Sequence, residues 1–393
     1  MDATRKTLLF LGDGMADEPI PELGGRTPLQ AAATPSIDRI AREGRSGTMV
    51  TLPEGFPTSS DVANMSVLGC DLSTEFCGRG PLEAAGQALS LPADSLCFRV
   101  NLVSVSPDGR LADFSGGHIS QEDAAETVAL LNQALASDVV RFYPGVSYRC
   151  LLVLRGAGFT ADVKCEKPDD HAGDLVAANL PHATAPAGER TAATLRDLVA
   201  RAFVVLNGRT ANGIWPWSGG RAGAIHSLAK RYGIRAAVIS AVDVINGLGR
   251  SLGMDVIRVP GATGYIDTDY EAKADAAIEA IREYDFVYLH VEAIDEVSHA
   301  RNLKLKLRAI EDFDRRLVGR TMAGAGDDIT YAVLPDHPVP VALGRHTRTP
   351  VPVSVRRPGW APDPVQTFDE FACLGGSLGR LSGSGLMDLL FRE

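Results

Sequence analysis

The sequence lacks several features that mark whole classes of protein. No window of its 393 residues approaches the length of a membrane span. The N-terminal Met-Asp-Ala-Thr-Arg-Lys-Thr has no apolar core of the kind found in a signal peptide. There is no run of basic residues, and the net charge of −10 argues against a nucleic-acid footprint. We therefore expect neither a membrane nor a nucleic acid as a partner.

Cysteine is scarce, and nucleotide-binding motifs are missing. The six cysteines include no C-x-x-C pair, so we expect them to be reduced and mostly buried, as in a cytoplasmic protein. The sequence has no G-x-x-x-x-G-K-[ST] loop and no protein-kinase glycine-rich motif. Gly78-Arg79-Gly80 is too short to be a nucleotide fingerprint. These absences count against a nucleotide substrate without deciding the matter.

What is present is the composition of an ordinary globular enzyme, with 45% hydrophobic and 22% charged residues. A chain of 393 residues exceeds what one hydrophobic core usually serves, so we expect two domains. Strands alternate with helices at both ends of the chain, which predicts a mostly parallel α/β sheet sandwiched by helices. We assign residues 1–76 and 208–393 to this domain. We expect 77–207, which has a mixed pattern and a linker-like stretch at 180–189, to form an inserted α+β domain.

The stretch 286–299 organises the predicted site. Residues 286–289 are an apolar run typical of a buried strand, and polar residues follow at its C-terminal end. Open α/β sheets bind ligands at that end of their strands. Asp295 and His299 are spaced i, i+4, so one helical turn would aim both at one ion. An incidental pair on a solvated loop is an equal alternative for this stretch alone.

Similar residues follow two other predicted strands. Asp13 follows the strand at 7–11, Asp336-His337 follows the strand at 329–334, and His346 lies nine residues after His337. If the three strands are parallel neighbours, three Asp and three His meet at one edge of the sheet. That number of oxygen and nitrogen ligands suits two divalent ions. Each residue alone is explained as well by a helix cap or a local hydrogen bond.

Ser60 opens a predicted helix and is a candidate nucleophile. A serine hydroxyl is a poor nucleophile at neutral pH. A bound metal would lower its pKa, and a helix N-terminus favours the resulting negative charge. The alternative is that Ser60 is a plain helix N-cap.

Five motifs carry a family resemblance. They are Leu11-Gly-Asp-Gly-Met-Ala-Asp17, Ser60-Asp-Val-Ala-Asn-Met65, Gly78-Arg-Gly-Pro-Leu-Glu-Ala84, His290-Val-Glu-Ala-Ile-Asp-Glu-Val-Ser-His299 and Pro335-Asp-His-Pro338. In order and spacing they resemble the cofactor-independent phosphoglycerate mutases of the archaeal type. That family belongs to the alkaline phosphatase superfamily of metalloenzymes, so the resemblance implies an alkaline-phosphatase-like fold.

The resemblance also implies a two-metal site, and we carry it over residue by residue. One ion would be held by Asp295, His299 and His346. The other would be held by Asp13, Ser60, Asp336 and His337, with Ser60 as the phosphorylated nucleophile. The family's metal is usually manganese, with zinc, cobalt or magnesium as replacements, and 2,3-bisphosphoglycerate is not required. The implied activity is the glycolytic interconversion of 3- and 2-phosphoglycerate in the cytoplasm, by a monomer or small homo-oligomer.

The inserted segment would then be a substrate-binding cap, hinged near Cys77 and near Asn207. Its cations would bind the carboxylate and phosphate of a small phosphorylated hydroxy acid, and its histidines would orient groups or transfer protons. The candidate substrate-binding residues are Arg79, Arg99, Asn101, His118, Arg149, His171 and Lys273. A surface ion pair or structural hydrogen bond is the alternative role for each.

The sequence departs from the family pattern at three places. Val339 stands where the family usually has Thr, and Gly344-Arg345 precedes His346 where the family has Lys-Thr. The segment Ile214-Trp-Pro-Trp217 differs from the archaeal pattern and resembles a bacterial subgroup that includes proposed homoserine kinases. Three alternatives therefore stay open. They are a homoserine kinase-like phosphotransferase of threonine biosynthesis, a metal-dependent phosphatase, and a non-catalytic protein with a structural metal.

Overall fold

The structure, a computed structural model, describes residues 6–92, 94–221 and 225–392. The chain divides into two units: Met1–Phe76 together with Ile225–Glu393, and Cys77–Ala224. The second unit extends beyond the boundary at 207 expected from the sequence. The reason is the strand Gly213–Arg221, which pairs with Ser95–Val105 of that unit. That the second unit is a substrate-binding cap stays a prediction.

The strands and helices are numbered in chain order. The strands are β1 Thr7–Gly12, β2 Arg45–Val50, β3 Ser95–Val105, β4 Leu111–Asp113, β5 Val140–Pro144, β6 Arg149–Arg155, β7 Val163–Lys164, β8 His182–Ala183, β9 Gly213–Arg221, β10 Ala236–Ile239, β11 Asp255–Val256, β12 Phe286–Val291, β13 Thr330–Pro335, β14 Val351–Arg356 and β15 Gly379–Ser382. The helices are α1 Pro28–Ala31, α2 Pro35–Arg42, α3 Ser60–Val67, α4 Leu72–Glu75, α5 Arg79–Gly86, α6 Gln121–Leu135, α7 Glu189–Val205, α8 Leu228–Tyr232, α9 Asp243–Ser251, α10 Tyr270–Glu283, α11 Ala293–His299, α12 Leu303–Asp312, α13 Arg320–Ala325 and α14 Gly385–Phe391. A π-helical segment, Phe313–Gly319, joins α12 to α13.

The first unit contains the predicted mostly parallel sheet, with strand order β11-β10-β12-β1-β13-β14-β2-β15. The strands from β11 to β13 are mutually parallel, and β14 runs antiparallel to both of its neighbours. Every residue of β1, β12 and β13 is buried, as expected when helices cover both faces of a parallel sheet. Gly12 is level with Val291 on one side and with Pro335 on the other. The residues that follow these three strands therefore leave the same edge of the sheet.

The two faces of this sheet differ in what covers them. Leu8 and Phe10 lie on one face, in a core cluster that includes Ala277 of α10 and the π-helical Phe313. Burying each such side chain contributes roughly 1.5–3 kcal/mol. Tyr288, on β12, hydrogen-bonds through its hydroxyl to the side chain of Asn64 on α3. The core thus fixes the strands on one side and the helix that begins at Ser60 on the other.

The second unit has an antiparallel sheet of order β4-β3-β6-β5, with β9 paired to β3 on its other edge. Alternate residues of β3 point to opposite faces. Phe98 and Val100 pack in one cluster with Leu131 of α6 and Leu195 of α7. Cys97, on the opposite face, packs against Ala84 of α5. Helices on an antiparallel sheet are the α+β arrangement predicted for the insertion.

One local expectation is corrected. The stretch 180–189 is not a linker, because β8 pairs with β7 inside the second unit. In the first unit, β11 is only two residues long, since Pro260 soon follows and cannot donate to a ladder. The helical stretch that begins at Leu303 passes through the π-helical segment before it ends at Ala325.

All six cysteines lie in the described part of the chain, and none of them forms a disulfide. Burial raises the pKa of the Cys150 thiol to about 12, so this thiol is protonated at neutral pH. None of the helices in the described ranges has both the length and the apolar character that crossing a membrane requires.

A buried carboxylate joins the two stretches of chain that make the first unit. Glu75, whose side chain is 3% exposed, lies at the end of the first stretch, and His226 lies at the start of the second. Glu75 accepts hydrogen bonds from the His226 backbone N–H and from Arg231 Nη2, and lies 2.9 Å from His226 Nδ1. Burial raises the pKa of Glu75, but the hydrogen bonds from His226 and the charge of Arg231 outweigh it and lower that pKa overall.

We predict that Glu75→Ala lowers the free energy of unfolding by about 3–5 kcal/mol, because Arg231, 14% exposed, loses its partner. The pKa of Glu75 is lower in the folded protein, so its contribution is present above the unfolded pKa of glutamate. That contribution is lost as pH falls through the folded pKa. Urea unfolding at neutral and acidic pH measures both effects. Glu279→Ala, which breaks an exposed pair with Arg282, is the matched control and should cost less than about 1 kcal/mol. Equal losses in the two variants would contradict the prediction.

Candidate metal centre

Three neighbouring strands deliver the predicted ligands to one edge of the sheet. Asp13 directly follows β1, and Asp336-His337 spans the residues after β13. Helix α11, which begins two residues after β12, carries Asp295 and His299 one turn apart. The parallel pairing predicted from the sequence therefore places these side chains together at one edge of the sheet.

The first group of side chains is Asp295, His299 and His346. The Nε2 atoms of the two imidazoles are 2.9 Å apart. They lie 3.4 and 3.6 Å from the two carboxylate oxygens of Asp295. The Nδ1 atom of His299 is 2.9 Å from the Gly344 carbonyl, and that of His346 is 3.1 Å from the Thr58 carbonyl. With Nδ1–H donated to a carbonyl, each Nε2 is left as a metal-binding atom.

The second group surrounds the Nε2 atom of His337. Asp13 Oδ1 lies 3.3 Å from this atom, and Asp336 Oδ2 lies 3.4 Å from it. The Ser60 hydroxyl oxygen is 3.1 Å from the same nitrogen. The rings of His337 and His346 are stacked with their centroids 3.8 Å apart, so the two groups adjoin. The structure thus brings together all seven residues predicted for the metal site and nucleophile.

The alternative role of Ser60 as a helix N-cap is wrong. Ser60 is the first residue of α3, and the N-cap position belongs to Ser59. The Ser60 side chain instead points to His337. Asn64, one turn later, donates through Nδ2 to the Ser60 carbonyl and to Asp336 Oδ2. Asn64 therefore links the nucleophile candidate to a ligand candidate, and its i, i+4 spacing from Ser60 was the available sequence signal.

The electrostatics of the site favour the binding of a cation. Burial and the neighbouring carboxylates, Asp336 first among them, raise the pKa of Asp13 well above its usual value. Burial likewise raises the pKa of Asp336. For Asp295 the surrounding histidines outweigh burial and lower the pKa to about 2. Among the described residues, the buried atoms Asp13 Oδ1 and Asp295 Oδ1 have no hydrogen-bond partner. Divalent cations fit such a set of carboxylate oxygens and imidazole nitrogens.

Lys306 is a buried residue of the site that the sequence reasoning missed. Its ammonium donates to Asp17 Oδ2, at 2.8 Å, and to the carbonyls of Gly14 and Val339, at 3.1 and 2.9 Å. These bonds tie the loop after β1 to the loop after β13. Lys304, two residues earlier on the same helix, is exposed. Nothing in the local pattern distinguishes the two lysines, so no sequence signal identified Lys306.

Three of the substrate-binding candidates gather in the second unit. Arg99 is buried, pairs with Glu83 and lies over the ring of Trp217. Burial lowers the pKa of Arg99, Glu83 opposes this, and the charges of Arg79 and Arg149 lower it further. The three arginines therefore share one region of positive charge. Such a region suits an anionic ligand.

The remaining four candidates have mainly structural contacts. Asn101 bonds to Trp217 Nε1 and to the Phe114 carbonyl. His171 lies 3.0 Å from Asp174 and is stacked on Trp215. His118 is exposed, with a positive φ of 55°.

Lys273 differs from the other candidates, because it belongs to the first unit and is fully buried. Its ammonium donates to the carbonyl of His290. That placement argues against direct contact with a substrate.

The comparison with known proteins agrees with this geometry. The sequence profile described as the Metalloenzyme superfamily matches residues 5–393, so the chain belongs to that superfamily. A Methanosarcina acetivorans protein is 44% identical over 403 aligned residues, which cover 98% of this chain and 100% of that one. A Geobacter sulfurreducens protein is 46% identical over 364 residues, 88% of this chain and 89% of that one. The first is named a 2,3-bisphosphoglycerate-independent phosphoglycerate mutase and the second a probable one. The chain belongs to the family of 2,3-bisphosphoglycerate-independent phosphoglycerate mutases.

Solved structures support the same assignment. A Pyrococcus horikoshii protein matches with a TM-score of 0.82 and 29% identity, covering 99% of this chain and 98% of that one. The cofactor-independent phosphoglycerate mutase of Thermoplasma acidophilum matches with a TM-score of 0.69 and 28% identity, covering 99% of each chain. The likeness extends along both chains and therefore includes both units.

We predict that Gly14→Ala abolishes metal binding at the first group, to which Asp295 belongs. Gly14 has a φ of +63°, and a Cβ there would lie 2.7 Å from Asp295 Oδ1 and 2.8 Å from its Cα. Gly24→Ala is the matched control, since Gly24 has a φ of +69° but no atom within 4 Å of the added carbon. Both variants carry the same backbone strain, of about 1 kcal/mol. Calorimetric titration should show weakened Mn²⁺ binding in Gly14→Ala alone. Similar Mn²⁺ binding by both variants would contradict the prediction that the added Cβ displaces Asp295.

Proposed function

We propose that this protein interconverts 3-phosphoglycerate and 2-phosphoglycerate through a phosphoserine intermediate on Ser60. The observation that carries the proposal is the Ser60 hydroxyl, 3.1 Å from His337 Nε2 and beside Asp13 and Asp336. A nucleophile among ligands is the arrangement that phosphoryl transfer to serine requires. The names of the family members agree with this activity. The protein is thus an isomerase that works by phosphotransfer.

Two divalent cations, with manganese as the first choice, complete the site. Asp295, His299 and His346 would hold one of them. Asp13, Ser60, Asp336 and His337 would hold the other. When bound, the ions supply positive charge to the serine oxygen and to the phosphoryl group in transfer.

The protein's own residues perform two in-line transfers. The Ser60 hydroxyl gives up its proton as its oxygen attacks phosphorus, the bond from phosphorus to the substrate oxygen breaks, and that substrate oxygen takes up a proton. The other hydroxyl of the bound glycerate then attacks phospho-Ser60, gives up its proton and releases the serine oxygen. Asn64 holds the backbone at Ser60 in place, because its side-chain amide donates a hydrogen bond to the Ser60 carbonyl. The N-terminus of α3 favours negative charge on the attacking oxygen.

The arginines of the second unit are proposed to bind the anionic groups of the substrate. Burial first, and then the charges of Arg79 and Arg149, lower the pKa of Arg99, and a bound anion would relieve the repulsion among these three guanidinium groups. Cytoplasmic location and a monomeric or small oligomeric state stay predictions.

The kinase alternative would need a site for a nucleotide, and the two tryptophans of the segment 214–217 are the candidates to stack its base. Trp215 and Trp217 are 4% and 6% exposed, and their indole nitrogens donate to the Glu166 carbonyl and to Asn101 Oδ1. Neither ring offers an open face on which a nucleotide base could stack. The names of the relatives favour the mutase as well.

We predict that Ser60→Ala lowers mutase turnover at least about 10³-fold, since it removes the only atom that accepts the phosphoryl group in this mechanism. A coupled enolase assay with Mn²⁺ measures the turnover. Ser59→Ala, which removes the adjacent hydroxyl, is the matched control and should stay active. Mutase activity in Ser60→Ala would sink the mechanism. Transfer from γ-labelled ATP to homoserine by the wild type would indicate the kinase, and release of inorganic phosphate the phosphatase.

We predict that Arg149→Ala raises the KM for 3-phosphoglycerate about tenfold or more, because a charge-assisted hydrogen bond contributes roughly 1.5–3 kcal/mol. Arg155→Ala is the matched control. Both arginines are exposed on β6, on the same face and at opposite ends of the strand. They are separated by about 20 Å at 3.3 Å per residue. Steady-state kinetics should show a changed KM only for Arg149→Ala, and equal values for the two variants would remove Arg149 from the substrate site.

A further inference from the structure

Three side chains form a hydrogen-bonded row across neighbouring strands beside the candidate metal centre. Ser240 follows β10, His290 lies in β12 and Asp13 follows β1, and these strands are adjacent in the sheet. His290 Nε2 is 2.9 Å from Asp13 Oδ2, and His290 Nδ1 is 3.1 Å from the Ser240 oxygen. All three residues are buried. Neither Ser240 nor His290 has a place in the mechanism described above.

The hydrogen atoms in this row can be assigned from its two ends. The Val242 backbone N–H donates to the Ser240 oxygen at 3.0 Å, so the Ser240 hydroxyl hydrogen remains available to donate to His290 Nδ1. His290 then carries its hydrogen on Nε2 and donates it to Asp13 Oδ2. Glu292 Oε2 is 3.8 Å from the same nitrogen, beyond hydrogen-bonding distance. In this assignment each of the two imidazole nitrogens of His290 makes one hydrogen bond, Nδ1 as acceptor and Nε2 as donor.

The row leaves one Asp13 oxygen for a metal. With Oδ2 bonded to His290, Asp13 Oδ1 faces His337 Nε2 at 3.3 Å and has no hydrogen-bond partner in the described part of the chain. A carboxylate that is hydrogen-bonded through one oxygen cannot turn about its Cβ–Cγ bond without breaking that hydrogen bond. We propose that His290, oriented by Ser240, is a positioning residue that fixes Asp13 as a one-oxygen ligand of the second metal ion.

The carboxylate of Asp336 is also oriented by hydrogen bonds, but from different donors. Its Oδ1 accepts from the backbone N–H groups of Gly14 and His337, and its Oδ2 accepts from Asn64. The Asp13 backbone N–H is already bonded to the Val291 carbonyl. The hydrogen bond that orients the Asp13 side chain comes instead from His290, and the Lys273 ammonium secures the carbonyl of that histidine.

The inference rests on the metal site of the proposed function, and the test separates the two. The variants are His290→Gln, whose Nε2 can reach the position of the imidazole Nε2, and His290→Asn, whose shorter amide reaches only as far as Nδ1. Ser240→Ala removes the orienting hydroxyl. Thr321→Ala is its matched control, a buried hydroxyl on α13 that bonds to the Leu317 carbonyl.

Metal-stripped full-length protein is titrated with Mn²⁺ in a calorimeter, and the bound ion is observed by electron paramagnetic resonance. We expect His290→Asn to weaken one of two binding events about 10–100-fold and to leave the other unchanged, which is the usual effect of losing a ligand's partner. His290→Gln should restore most of the affinity and the wild-type spectrum. Ser240→Ala should weaken the same event by less, and Thr321→Ala should not weaken it.

Three results would overturn the inference alone. The first two are wild-type affinity and spectrum in His290→Asn, and equal losses in the Asn and Gln variants. Loss of both binding events in proportion to a lowered unfolding temperature would also overturn it, since it would show a merely structural role. Failure of the wild-type protein to bind Mn²⁺ would overturn the proposed function together with the inference.

Discussion

Repulsion among buried carboxylates is the constraint on which the rest of this structure depends. Asp13, Asp295 and Asp336 lie at adjoining strand ends, and all three are buried. Negative charges so close together in a site of low dielectric cannot all stay ionised unless positive charge is supplied. The buried ammonium of Lys306 supplies part of this positive charge. The pKa values of Asp13 and Asp336 are nevertheless raised, so the charge of Lys306 does not balance all of the negative charge. Divalent cations are the chemistry that balances the remainder.

The sheet turns this constraint into a fixed geometry. The central strands are buried on both faces, so the starting points of the three ligand loops cannot shift without disturbing the core. The loops themselves are held by Lys306 and by β-bridges from Pro338 to Met15 and Ala16. The proposed phosphoryl transfer needs such rigidity, because small displacements of catalytic groups cost much of the rate.

The sequence predicted the features that depend on local pattern and order. Parallel strands followed by Asp or His, and the i, i+4 pair on α11, placed the ligands correctly because strand ends in a parallel sheet share one edge. The sequence did not reveal β9, since Pro216 and two Gly interrupt its pattern. Nor did it reveal Lys306 or the role of His290, whose functions depend on tertiary burial. An exposed Lys304 and a buried Lys306 look alike until the fold is known.

The departures from the family pattern affect the two parts of the protein differently. Val339 is buried, and it meets the site through its backbone, whose N–H bonds to Ala16 and whose carbonyl accepts from Lys306. Exchange of Thr for Val there preserves both bonds. The segment 214–217 is different, because Trp217 donates to Asn101 and lies under the guanidinium of Arg99. A change in that segment alters the support of the residues proposed to bind the substrate. The departure at Val339 thus leaves the backbone contacts of the candidate metal centre intact, and we expect the departure at 214–217 to act on the proposed choice of substrate instead.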